Sequence, residues 1–235
     1  MSEGNKEVTR NQRVTLLTPS LTTRLQDHAA IAADPTQTLQ TFTLDDLAIY
    51  TREGAFDPAD SQDMRTFEVG RDDVHGVLKH IISRISRSFK LSMFGYDDDE
   101  LDGMIESLVL SMLIFFQGTL DRSQSGGVHE KAILAAEDPK FRALWAIGTS
   151  EFGSQIVHTK GGIADNKVGF EGSTNWSASG EGIGIGLHGQ ANAQGFKAQA
   201  NTLTVFTNPI EIGRFSDTLD EQYASILRRQ QAKVA

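Results

Sequence analysis

The sequence predicts an α/β fold. Two observations carry this. Between residues 66 and 119 short apolar runs alternate with segments of helical periodicity, and a β-type run at 201–207 precedes a second helical stripe at 209–226. Alternation of this kind lets helices cross over a sheet face and favours parallel or mixed strand pairing.

Each element follows from local chemistry. Residues 66–69 read as the first strand. Asp72 and Asp73 open a helix, because carboxylates suit the positive end of the helix dipole. Val74, Leu78, Ile81, Ile82, Ile85 and Phe89 recur at helical spacing and define its buried face. Residues 90–94 form a short strand, an acidic turn follows, and a helix spans 99–109. The apolar run 110–119 reads as a buried strand, with a loop at 121–127 at its end. A helix at 129–136 stops at Asp138-Pro139, and 141–147 is a further strand or short helix. Pro209 suits the first turn of the last helix, whose stripe is Ile212, Phe215, Leu219, Tyr223 and Ile226. Three regions result: an extension of unknown role at 1–64, a domain at 65–227 and a charged, fraying tail at 228–235. Within the extension, short elements are expected near 14–17, 25–33 and 44–50.

Composition narrows the function. A chain of 235 residues with a formal charge of -9 carries no general basic coat for nucleic acid, although a local basic pocket remains compatible with it. Cysteine is absent, which removes disulfides and thiolate metal sites. None of the six histidines stands in a metal-ligand spacing. The N-terminus is polar, and the most apolar run, 108–116, falls far short of the roughly 20 residues of a membrane span. A soluble, cytoplasmic protein is the expectation.

The chemistry concentrates between His158 and Trp176. His158 and Lys160 are two residues apart, which in a strand puts both side chains on one face. Asp165-Asn166-Lys167 is a turn, and 168–170 returns as the paired strand. Gly172 and Ser173 then let backbone and a small hydroxyl approach whatever His158 and Lys160 face. An imidazole, an ammonium, a hydroxyl and the Asn175 amide in so short a stretch suggest a phosphate pocket.

Other motifs carry less. Gly184-x-Gly186-x-x-Gly189 has the dinucleotide-loop spacing, but residues 192–200 supply no apolar helical face, so a flexible loop is the better reading. Asn175-Trp176-Ser177 is a glycosylation sequon without a secretion signal. Asp97 to Glu100 lacks the calcium-loop spacing and reads as a solvated helix start. His75 and His80 read as surface or packing residues, and His129 and His188 as helix-start or loop residues.

The full pattern is HxKxxxxD, six residues, then GSxN, filled by His158, Lys160, Asp165, Gly172, Ser173 and Asn175. It resembles the signature of the phospholipase D superfamily, and the likeness extends over roughly 65–223. That resemblance implies a sandwich with a central mixed β-sheet flanked by helices. It also implies an active site built from two such motifs. The full pattern occurs once here, so by analogy with single-motif members the chain is expected to form a homodimer. Family members carry a downstream acid that orients the histidine; Gln199-Ala200-Asn201 stands in that place, and Gln199 and Asn201 are the expected supports.

By the same resemblance His158, Lys160, Asp165, Ser173 and Asn175 form the catalytic set, with Asp165 expected to hold local structure through lysine or backbone contacts. The expected activity is a phosphodiesterase working through a covalent phosphohistidine, with no metal or cofactor. DNA or RNA ranks ahead of phospholipid as substrate. The alternatives are a phospholipase-type hydrolase or transferase, and a dimeric binding module with little or no turnover.

Overall fold

The structure is a computed structural model that describes residues 38–39, 41–112, 114–124, 127–149, 155–183 and 197–232. The elements expected at 14–17 and 25–33, and the Gly184–Gly189 motif, lie outside those residues. A 3-10 helix, Leu44–Tyr50, comes first. Strand β1 is Met64–Glu68 and helix α1 is Val74–Ile82. Then come β2, Ser88–Met93; α2, Asp99–Met112; and β3, Phe115–Asp121. Helices α3, Val128–Ala136, and α4, Pro139–Arg142, lead to β4, Trp145–Gly148. A hairpin of β5, Lys160–Ala164, and β6, Val168–Gly172, is followed by the short α5, Ala178–Glu181. Strand β7, Thr202–Phe206, and the long helix α6, Pro209–Gln231, close the fold.

The strands form one mixed seven-stranded sheet in the order β1-β7-β6-β5-β2-β3-β4. β2, β3 and β4 run parallel, while β5 joins β2 antiparallel, as do β6 to β5, β7 to β6 and β1 to β7. Side chains alternate across the sheet. On one face Phe89, Leu91 and Met93 of β2 join Phe116 and Leu120 of β3, Phe170 of β6 and the buried faces of α1 and α2 in the main core. Leu39, Leu44 and Leu47, from the segment before residue 65, belong to that core too. The other face is covered by α6. Ile212, Phe215 and Leu219 pack on Ile163 of β5, and Ile226 packs on Ala146 of β4. Polar residues share this second interface: Lys90 bonds Ser216 and Asp220, and Gln117 bonds Asp220.

Several boundaries differ from the sequence reading. Helix α1 stops at Ile82, so Ile85 lies in the following turn and Phe89 in β2, although both are fully buried. Residues 110–112, read as strand, continue α2, and β3 begins only at Phe115. A continuous apolar run does not discriminate a buried strand from a buried helix end. The tail from Arg228, expected to fray, continues α6 to Gln231. Among the described residues no helix is long and apolar enough to cross a membrane.

The hairpin turn ties the sheet together. Asp165 and Asn166 both adopt φ of 53°, the left-handed region that Asp and Asn tolerate best after glycine. The Asp165 carboxylate is buried and accepts hydrogen bonds from the backbone N–H groups of Ser86, Arg87 and Ser88 and from the Ser86 hydroxyl, at 2.8–3.3 Å. Its own N–H donates to the Ser88 carbonyl at 2.8 Å. Asp165→Asn keeps the turn but removes the charge and turns an amide N–H₂ toward backbone donors. It should cost about 2–3 kcal/mol in urea unfolding. A loss under about 0.5 kcal/mol, the range of surface substitutions, would show that the clamp carries no weight.

Candidate functional site

His158, Lys160, Ser173 and Asn175 gather at the end of the sheet where the parallel strands finish, the place where α/β sheets commonly hold their sites. His158 is not in a strand, as the sequence reading had it. It lies in the segment leading into β5, is exposed, and is anchored through both neighbours. Before it, the Val157 N–H donates to Asp121 Oδ2 at 2.8 Å, Asp121 being fully buried at the end of β3. After it, Thr159 Oγ1 accepts from Gln222 Nε2 of α6 at 2.7 Å, and Gln222 Oε1 accepts from Ser92 Oγ of β2 at 2.7 Å.

Lys160, the first residue of β5, pairs with Met93 of β2. Its Nζ donates to the His158 carbonyl at 2.9 Å and lies 3.2 and 3.3 Å from the two imidazole nitrogens. An ammonium only donates, so either ring contact needs an unprotonated imidazole nitrogen. The Phe94 ring completes the group: its centroid is 4.3 Å from that of His158 and 4.9 Å from Lys160 Nζ. Burial pushes the Lys160 ammonium below the ordinary lysine pKa.

The Gly-Ser-x-Asn segment adjoins this group on the next strand. Gly161 pairs with Glu171, which sets Gly172 beside Lys160. A Cβ at Gly172 would collide with the Thr202 carbonyl, so only glycine allows that approach. Ser173 pairs with Thr202 twice: its N–H donates to the carbonyl, and its Oγ accepts from the Thr202 N–H, both at 3.0 Å. Asn175 Oδ1 accepts from the Gly95 N–H at 3.3 Å, one residue past Phe94. Buried Trp176 hydrogen bonds both ways with this turn, to the Gly95 carbonyl and from the Asp97 N–H.

Asp165, Gln199 and Asn201 stand apart from this group. Asp165, placed in the catalytic set, lies at the far end of β5 from Lys160. At about 3.3 Å per residue the two are roughly 16 Å apart, and Asp165 is engaged by residues 86–88. Gln199, expected behind His158, instead accepts through Oε1 from Asn201 Nδ2 at 3.2 Å. Asn201 also donates to the Gly180 carbonyl at 2.9 Å, so this pair ties α5 to β7. His129 and Lys131 repeat the His-x-Lys spacing on α3, but Ala136 stands where an aspartate would complete the pattern.

Phe94, Asp121 and Gln222 were not singled out from sequence. Phe94 alone left a signal, a large aromatic ending an apolar strand. The hollow of about 440 Å³ between residues 155–157 and α6 carries Asp217 and Glu221, whose charge repels a phosphate.

Behind the Gly-Ser-x-Asn loop, His75 of α1 meets three carboxylates. Its Nδ1 lies 2.6 Å from Glu181 Oε2 and 3.2 Å from Asp98 Oδ2, and its Nε2 lies 3.1 Å from Glu100 Oε2. Burial alone would lower the His75 pKa, but the hydrogen bonds to Asp98, Glu100 and Glu181 outweigh it and push it up to about 12. Burial and the facing Asp98 charge push Glu181 well above the usual carboxylate range. Asp98 is thus not on a solvated helix start; it is 3% exposed.

No protein-family model and no curated protein matches the chain. Solved structures do. Nuc from Salmonella typhimurium, a phospholipase D family member, superposes with a TM-score of 0.52 at 13% identity, over 69% of this chain and 94% of that one. NucT from Helicobacter pylori superposes with a TM-score of 0.50 at 18% identity, over 69% of this chain and 98% of that one. The chain therefore has a phospholipase D-like α/β fold.

Phe94→Leu should leave the circular dichroism unchanged and shift the His158 ring-proton NMR signals, because the aromatic ring 4.3 Å away is lost. Unchanged His158 signals would place Phe94 away from the imidazole.

Proposed function

We propose that this protein is a phosphodiester hydrolase whose nucleophile is His158. The observation that carries the reading is the anchored His158–Lys160 pair at the strand ends, its imidazole exposed and its lysine buried beside Gly172 and Ser173. The fold shared with a phospholipase D family member supports it, as does the fit of the full HxKxxxxD–GSxN pattern.

The site needs a second imidazole, and a second copy of the chain supplies it. A two-fold interface presents the same residue from both subunits. In the first step the neutral His158 nitrogen of one subunit attacks phosphorus. A P–N bond forms, the bond to the leaving oxygen breaks, and His158 of the other subunit gives that oxygen its proton. In the second step the same imidazole, now neutral, takes a proton from water. The water oxygen bonds to phosphorus and the P–N bond breaks, which restores both histidines. One residue type serves as nucleophile and as acid–base because imidazole titrates near neutral pH. Lys160 from both chains neutralises the non-bridging oxygens as charge builds in the transition state. Asn175 and Ser173 hold the loop against Gly95 and Thr202, which keeps backbone donors beside the phosphate. No step runs through a metal.

Nucleic acid is the substrate class we favour, bound through backbone phosphates rather than through a basic coat. The test is a panel of single-stranded DNA, duplex DNA, RNA, phosphatidylcholine vesicles and bis-p-nitrophenyl phosphate. Turnover of a nucleic acid and the aryl diester is expected, and His158→Ala should cut it about a thousandfold or more. Equal turnover in the variant overturns the assignment, cleavage of the vesicles alone makes the substrate a lipid, and binding without cleavage makes the protein a binding module. Specific activity should also fall on dilution in step with dimer dissociation seen by sedimentation; activity that persists in a monomer contradicts the shared site.

The lowered Lys160 pKa sets a pH limit. The ammonium is the working form, so kcat/KM should decline as pH rises through a value below that of an ordinary lysine. Lys160→Arg, which stays charged, should move that decline to higher pH even where it lowers the rate.

A further inference from the structure

We propose that His75, Asp98 and Glu181 form a binding site for one divalent transition-metal ion of the Zn²⁺ type, a structural site separate from the His158 group. The three residues come from the first turn of α1, the start of α2 and the end of α5, and their ligand atoms all lie within 4.8 Å of one another. Asp98 divides its oxygens between two tasks. Oδ1 accepts from the N–H groups of Glu100 and Leu101 at 2.8 and 2.9 Å and so caps α2, while Oδ2 turns to His75 Nδ1. Glu181 Oε1 is buried without a hydrogen-bond partner, and Asp98 Oδ2, buried as well, meets His75 Nδ1 at 3.2 Å; the two side chains are 0% and 2% exposed. A buried carboxylate oxygen is expensive to leave bare, and this one belongs to the cluster that also holds His75 and Asp98.

The surroundings match what a metal-bound imidazole requires. A ligating histidine presents one ring nitrogen to the ion and gives its other N–H to a carboxylate, which fixes tautomer and ring orientation. His75 Nε2 is 3.1 Å from Glu100 Oε2, and Glu100 Oε1 is held by Lys79 Nζ at 2.6 Å. Nδ1 is then the nitrogen left to face Asp98 and Glu181. Two buried carboxylates balance the charge of a divalent ion, which takes the place of the Nδ1 proton. One imidazole with carboxylate oxygens suits Zn²⁺ or Mn²⁺, and falls short of the six to eight oxygens that Ca²⁺ takes.

Position gives the ion its purpose. Glu181 closes the short helix that follows Gly-Ser-Thr-Asn-Trp, and Asp98 lies next to the Asp97 N–H that bonds the Trp176 carbonyl. The ion would fasten this loop to α1 and α2, so that Asn175 meets Gly95 in a fixed frame.

The experiment uses the full chain, stripped with a chelator and then equilibrated with Zn²⁺ or Mn²⁺ alone, with bound metal counted by mass spectrometry after desalting. One ion per chain is expected, lost in His75→Ala and in Glu181→Gln and kept in His129→Ala, a change at an exposed histidine outside the cluster. A second measurement needs no variant in the cluster: addition of Zn²⁺ to the stripped chain should shift the His75 Nδ1 signal in ¹⁵N NMR. No ion bound by the wild-type chain, the same count in the cluster variants, or an unmoved His75 signal overturns the proposal. Metal content is read without substrate, so failure here leaves the reading of His158 untouched, and loss of that reading leaves this site standing.

Discussion

The arrangement depends first on a carboxylate clamp. Asp165 receives three successive backbone N–H groups from residues 86–88. Two of those donors precede β2 and the third opens it, and a buried charged acceptor satisfies all three strongly. The clamp fixes where the end of β5 meets the start of β2. With Ala164 opposite Phe89, Lys160 falls opposite Met93, and the chain that continues past β2 brings Phe94 against Lys160 and His158. A slip of one residue would turn Lys160 to the α6 face and Ile163 into the main core. Asp165 thus governs the site from its far end, by register rather than by contact.

The site itself is built by anchoring the residues around the histidine. Val157 is held by a buried aspartate and Thr159 by Gln222, while the imidazole between them stays exposed. The long helix α6 therefore does two jobs: its apolar stripe covers one face of the sheet, and Gln222 beside that stripe locks the backbone next to His158. Net charge also shapes the account. A chain at -9 repels polyanions at long range, so a phosphodiester must be drawn by local groups, of which Lys160 is the central one.

Much of the fold was legible because apolar periodicity follows burial. The face Val74, Leu78, Ile81 is buried as spaced, and so is the Ile212, Phe215, Leu219 stripe. Where periodicity carries no information the reading failed. Residues 108–116 are apolar but for Ser111, so the pattern does not separate the end of α2 from a strand, and Phe89 keeps helical phase by coincidence after the helix has stopped. At the site, the spacing of His158 and Lys160 in sequence leaves them little freedom to separate, and they meet. The spacing to Asp165 spans a whole strand and carries it away. Gln222, Asp121 and the group of His75, Asp98 and Glu181 join residues distant in sequence, which only the fold brings together.

The central claim is that His158 attacks phosphorus and forms a covalent intermediate. Stereochemistry at phosphorus tests it most directly, because each in-line displacement inverts the centre. Hydrolysis of a single-diastereomer phosphorothioate diester in oxygen-18 water should proceed with net retention, the sum of two inversions. Net inversion would mean that water attacks in one step, and would contradict a nucleophilic His158.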